Sequence, residues 1–208
     1  MAWTQHDPRG GRYESYEDVE RSGLLGEVLV EVISRGGRSK NYDDLISLDG
    51  GTVGIAHFAV GGLASLYRQM DTEKYFKRPK EEMISKYSSA CRPSGKSGND
   101  TGWGCYSMEW WREGMRAFLS SPESKEVQNA AWGSMMEPVI RKAISEGWTG
   151  ARQIAIALGI ANSLGRSGFE SLAAKHGWDA ESTLKAYVGR NAHRLRREEA
   201  INQAFPKS

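Results

Sequence analysis

Two carboxylates, Glu31 and Asp49, fall on separate ordered elements within the stretch VEVISRGGRSKNYDDLISLDGGTVGIAHF, from Val30 to Phe58. Glu31 lies near the end of a predicted helix. Asp49 lies in a glycine-rich loop, with Thr52 directly beyond it. One carboxyl group that donates a proton and another that activates water are what cleavage of a sugar–sugar bond requires. Glu31 takes the acid's place. An acid working near neutral pH needs surroundings that disfavour its charged form, and the apolar run GLLGEVLVEV offers such a wall. Asp49 takes the base's place, with room for a water between it and the sugar; its other use is to hold its own loop through backbone hydrogen bonds. The Thr52 hydroxyl would position that water, cap a following helix, or do both. Glu27, one turn upstream on the same helix face, is the rival acid. Asp43 and Asp44 are rival bases.

Arg35, Tyr42, His57, Trp103 and Tyr106 are the candidate substrate contacts. Arg35, with Arg38 and Lys40, sets positive charge beside Glu31. Tyr42 either meets sugar or covers a small hairpin, and His57 either hydrogen-bonds a sugar or packs. Trp103, Tyr106, Trp110 and Trp111 offer rings that stack on pyranose faces, although at helical spacing core packing is the default for at least two of them. The tail RNAHRLRREEA puts Arg190, Arg194 and Arg197 on one face. The expectation there is a solvated charged face; the alternative is an arginine turned inward to steady Glu31 or Asp49.

The elements that must position these groups are mostly helical. Residues 18–34 read as one helix with Leu24, Leu25, Val28, Leu29 and Val32 on its apolar side, stopped by Gly36–Gly37. SKNYDDLISLDGG reads as a loop or small β-hairpin. TVGIAHFAVGGLASLYRQM reads as an apolar helix starting near Thr52, with Gly61–Gly62 as a close approach or kink. A helix over 72–87 is interrupted near Pro79, and 88–102 is the longest loop. GWGCYSMEWWREGMRAFLSS is an aromatic-rich helix. Residues 123–146 form another, with Pro138 as a boundary or kink. A central helix begins near Thr149 and can end at Gly165. Asp179 or Ser182 caps one of the last helices. Residues 1–17 are a polar N-terminal arm or surface wrap, and 18–208 a single catalytic domain with two lobes. The fold class expected is mainly α, with helical lobes around a cleft and a small β-hairpin or loop element.

Composition limits the function classes. The 208 residues are 39% hydrophobic and 26% charged, which suits a folded core under a charged surface. The net charge of +2, from 28 basic and 26 acidic residues, makes no electrostatic case for nucleic acid. No run of about 18 apolar residues suggests a membrane span. The N-terminus lacks the apolar core of a secretory signal. The expectation is synthesis in the cytoplasm without a classical signal peptide. Action in the periplasm or at the cell wall would then follow lysis or specialised export, which leaves export machinery or an inhibitor protein as partners. Cys91 and Cys105 bracket a segment that a disulfide would close, while a cytoplasmic chain would keep them reduced. Neither has CxxC or CxxH spacing, so no metal and no cofactor are expected.

Over residues 30–58 the chain resembles the family 46 glycoside hydrolases, the chitosanases of the lysozyme-like superfamily. The residues that carry the resemblance are Glu31, Asp49-Gly50-Gly51 and the TxGIxxF-like stretch Thr52 to Phe58. AAWGSMMEPVIRKAISEG, ALGIANSLGRSG and STLKAYVGRNAHRLRR look like helices of that family's second lobe. The connection from Asp49 to Thr52 is shorter than in typical members. Asn162 stands near where such enzymes carry a central acidic residue. The resemblance implies a lysozyme-like fold and a β-1,4 glycosidase with Glu31 as acid, Asp49 as base and Thr52 beside the water. A chitosan groove benefits from carboxylates that meet cationic amines. Asn162 and the basic group around Arg35 lean instead towards peptidoglycan, which carries acidic groups. The reading is therefore an inverting muramidase of the endolysin type acting on a glycan polymer, probed against three alternatives: a chitosanase, a lytic transglycosylase and a noncatalytic glycan-binding protein.

Overall fold

A computed structural model of the chain describes residues 11–37, 40–47, 51–88, 104–189 and 191–207. These residues are mainly helical, with one two-stranded sheet. They fall into two compact units, one made of Met1–Arg38 with Met136–Ser208 and the other of Ser39–Met135.

The first unit begins with α1 (Tyr16–Arg21) and α2 (Leu24–Val28). Ser15 caps α1 by accepting the Asp18 N–H. The single helix expected over 18–34 is broken at Ser22–Gly23, where Gly23 takes φ 79° and ends one helix so the next can start at an angle. Beyond α2 the chain winds into a π-helical segment, Leu29–Ser34, and helical geometry ends by Gly37, as the glycine pair predicts. The second half of α7 (Ser124–Ser145) belongs to this unit, and Pro138 lies inside that helix without ending it. The core helix is α8 (Ala151–Lys175), buried without a break from Ile154 to Ala161. Its cap comes from Gln153, whose Oε1 accepts the N–H groups of Thr149 and Gly150. Gly165, at φ 72° and ψ 171°, interrupts α8, and the helix resumes beyond it. Asp179 caps α9 (Ala180–Val188) by accepting the Ser182 N–H at 2.8 Å. Asn191 caps α10 (Ala192–Ala204). The π segment packs on α8 and α10, where Gly159 lets Val32 and Ile201 close over the helix backbone.

The second unit holds β1 (Leu45–Ile46) and β2 (Thr52–Val53), antiparallel, with Ile46 opposite Thr52 and Leu45 opposite Val53. The small β element expected early in the chain is thus present. The helix expected from Thr52 is not. After Val53 the chain turns at Gly54–His57 and pairs back on itself between Val53 and Phe58, and α3 runs only over Gly61–Gln69. Positive φ angles at Gly54, His57 and Val60 forbid a helix through this stretch despite its apolar content. Then come α4 (Thr72–Phe76) and α5 (Lys80–Lys86), divided at Pro79 as expected. A 3-10 turn at Gly104–Ser107 leads into α6 (Glu109–Leu119), and the first half of α7 completes the unit. Gly114 brings α6 tight against Phe76 and the Tyr75 carbonyl of α4. Cys105 is buried and disulfide-bonded. The other cysteine of the sequence, Cys91, lies outside the described residues.

Candidate active site

Glu31 sits within the π-helical segment, where a side-chain bond competes with the α-helical ladder. The Ser34 hydroxyl donates to the Val30 carbonyl at 2.6 Å. In an α-helix that carbonyl would belong to the Ser34 N–H, so the side chain competes with the backbone ladder. Val28, Leu29, Val32 and Ile33 all point into the core of the first unit. Their apolar surface is therefore not the dry wall expected around Glu31. The Glu31 side chain keeps 32% of its surface exposed, and its Oε2 lies 2.6 Å from Nη2 of Arg35, one turn on. The predicted acid and the predicted cationic contact are thus brought together, as an exposed ion pair. Glu27 is exposed on α2.

Asp49, Arg38 and Trp103 lie outside the described residues. The strands on either side of Asp49 are described, and the second unit anchors both. Thr52 is buried and paired with Ile46, so its place is a strand rather than a helix cap. Gly51, at φ +126°, packs closely against the ring of Trp111. A Cβ at that position would come within 2.9 Å of the indole and 3.5 Å of the Tyr106 Cβ. Trp111 is fully buried and donates its indole N–H to the Tyr67 hydroxyl at 2.8 Å, which donates in turn to the Tyr87 carbonyl at 3.0 Å. Burial pushes the Tyr67 pKa upward, which keeps that hydroxyl a donor. Trp111 is thus a core residue under the hairpin. Tyr106 is half-buried beside it, with the Arg112 guanidinium 5.7 Å from its ring centre. Trp110 is half-buried under the Arg78 guanidinium, at 4.3 Å.

Tyr42 holds the other end of the hairpin. Its hydroxyl donates to Asn129 Oδ1 at 2.8 Å, and burial raises its pKa. The polar end of Tyr42 is therefore engaged by the protein, which favours hairpin cover over sugar contact. His57 occupies the tight turn after β2 at φ 58°. Asp44 accepts the backbone N–H groups of Lys40 and Asn41 at 2.5 and 3.0 Å, a turn-stabilising use, whereas Asp43 is exposed. A residue that sequence reasoning missed ties these parts together. Gln128 of α7 is fully buried, accepts the Ile55 N–H through Oε1 at 3.2 Å, and donates through Nε2 to the Tyr42 carbonyl at 2.8 Å and to Ser124 Oγ at 2.9 Å. The available signal was a glutamine on the helix face shared with Ser124, Ala131 and Trp132, all of them buried.

In the first unit Arg197 is buried, contrary to the solvated face expected for the tail. Its Nη1 donates to the Gly159 carbonyl and to Ser163 Oγ, both at 2.9 Å, so its bonds do not reach Glu31. Nε and Nη2 have no hydrogen-bond partner among the described residues. Burial lowers the pKa of this guanidinium. Arg194 bonds the Tyr187 carbonyl, and Arg190 lies outside the described residues.

A surface depression of about 580 Å³ between Gln69–Glu73 and Lys80–Glu81 contains none of the predicted site residues. Among the described residues no group of three or more His, Cys, Asp or Glu side chains could hold a metal ion, and no helix is long and apolar enough to cross a membrane. No protein-family model, no curated protein and no solved structure matches this chain.

Proposed function

We propose that this chain is a lysozyme-like glycoside hydrolase that cleaves the β-1,4 glycan backbone of peptidoglycan by general acid/base catalysis with inversion. The observation that carries the reading is the setting of Glu31. Its carboxylate is partly accessible and stands on a π-helical turn. π-Helical turns are rare, roughly 1% of residues or fewer, and are frequent at functional sites. In this reading Glu31 protonates the leaving oxygen and Asp49 activates water for attack on the opposite face of the sugar. The same reading assigns the Thr52 hydroxyl to positioning that water. Arg35 and its basic neighbours favour a polymer bearing carboxylates over the polycationic chitosan. The chemistry uses no cofactor.

The test is incubation of wild type and E31Q with purified peptidoglycan and, separately, with chitosan, followed by mass spectrometry of the released sugars. Wild type should release muropeptides with reducing ends from peptidoglycan. E31Q should keep the fold and lose about 10²- to 10⁴-fold in turnover, the usual worth of a positioned general acid. Normal turnover by E31Q would sink the assignment. Anhydro-sugar products would replace hydrolysis with transglycosylation, and release from chitosan alone would replace the substrate.

A further inference from the structure

We propose that Gln128 is a positioning residue, whose buried amide ties Tyr42 ahead of β1 to Ile55 after β2 and so sets where Thr52 is presented. The proposal rests on the glycosidase reading, because Thr52 is a group that reading uses.

One side chain reaches two points far apart in sequence. Nε2 holds the Tyr42 carbonyl ahead of β1, and Oε1 holds the Ile55 N–H just after β2. The second Nε2 hydrogen goes to Ser124 Oγ, one turn back on the same helix, which fixes the rotamer of the amide. Asn129, the next residue of α7, takes the Tyr42 hydroxyl. The backbone opposite is shaped to this amide. Gly54 has φ +65°, and a Cβ there would lie 1.8 Å from Gln128 Oε1, so only glycine admits the glutamine. A sheet of two residues per strand has too few ladder bonds to hold its own register. The clamp supplies what the ladder lacks.

No other side chain meets these demands. Leucine fills the space but leaves the Ile55 N–H and the Tyr42 carbonyl unpaired in the interior. Glutamate keeps the acceptor for Ile55 and turns an oxygen, in place of a donor, towards the Tyr42 carbonyl. Asparagine is one methylene short.

The experiment uses the full chain as wild type, Q128L, Q128E, S124A and E31Q. Amide exchange is read by mass spectrometry over residues 42–58 and over α8, and kcat and KM are measured on purified peptidoglycan. Q128L should speed exchange over 42–58 by about tenfold, the worth of a lost buried hydrogen bond, with α8 unchanged. Its kcat should fall by about 10²-fold with KM nearly unchanged, the signature of misplaced catalytic groups. S124A, which frees the amide's rotamer while leaving both ties to the segment available, should shift exchange and kcat in the same direction as Q128L and by less. If Q128L loses protection throughout the chain, Q128E carries the same test. Wild-type kcat in Q128L while E31Q is inactive would overturn the positioning role and leave the glycosidase reading standing. Absence of turnover by wild type itself would overturn that reading, and the positioning role with it.

Discussion

Gly54→Ala tests the clamp at its tightest point. An alanine there would have to adopt φ +65°, which costs about 1–2 kcal/mol for any residue with a Cβ. Its methyl group would start 1.8 Å from Gln128 Oε1, and no real contact of this kind is closer than 3.0 Å. Gln128 must therefore swing away. It cannot do so and keep its 3.2 Å bond to the Ile55 N–H, which is buried. An unpaired interior amide costs about 1–3 kcal/mol. The two terms together predict a loss of about 2–5 kcal/mol, a large share of the roughly 5–15 kcal/mol that holds a typical domain. Gly61→Ala is the control in the same unit: nothing lies within 4 Å of its added methyl, and the position begins α3. That change should leave stability unchanged or raise it by up to about 1 kcal/mol. Equilibrium urea unfolding followed by tryptophan fluorescence, compared at constant m, measures both. A Gly54→Ala protein within about 0.5 kcal/mol of wild type would refute the geometry on which the clamp rests.

Two further outcomes are expected. Hydrogen bonds from the Lys74 ammonium and the Tyr75 hydroxyl lower the Glu123 pKa from its ordinary value of 4.5 to about 2, so the stability this group contributes should be fully present above pH 4.5 and lost as pH falls towards 2. Unfolding of wild type and Glu123→Gln across that range should show their difference shrinking to nothing at the acid end, and a difference that grows there would refute the assignment. Arg197→Met replaces a buried charge, two of whose nitrogens have no partner among the described residues, with an apolar chain of similar reach, and should be neutral or stabilising by about 1–4 kcal/mol; a thermal or urea measurement showing a loss beyond about 1 kcal/mol would show that the guanidinium is better satisfied than its bonds imply.

Where a local chemical rule acts alone, it was legible in the sequence. Asp179 can accept the N–H three residues on and does so. Pro79 cannot donate a helical N–H, and α4 and α5 part at it. Gly165 breaks α8 because it alone enters φ 72° at no cost, although α8 then continues. The apolar period over residues 151–161 predicted a central helix because burial on every side leaves no polar stripe. The two-residue strands around the Asp49 loop follow from turn-forming residues between short apolar pairs.

Tertiary structure decided what distant partners control. Thr52 to Phe58 is apolar enough for a helix, yet it forms a strand and a turn. Ile46 pairs with Thr52 across the hairpin, and two partners remote in sequence complete the setting: Gln128 binds the Ile55 N–H and Trp111 seats Gly51. Arg197 shows the reverse case. Its charge predicted solvent, but the position it occupies on α10 faces Gly159 and Ser163 of α8, and the packing of three helical elements outweighed the preference of one side chain. Glu31 lies between these cases. Its type and place near a helix end were legible, whereas the π-helical turn and the ion pair to Arg35 depend on how the Ser34 hydroxyl and the buried Val32 and Ile33 settle against the core. The sequence by itself determined the mainly helical class and the small early β element, and it named the residues proposed for the chemistry. The burial and bonding of Tyr42, Gly51 and Arg197 were decided by contacts between residues far apart in the chain, which no local pattern encodes.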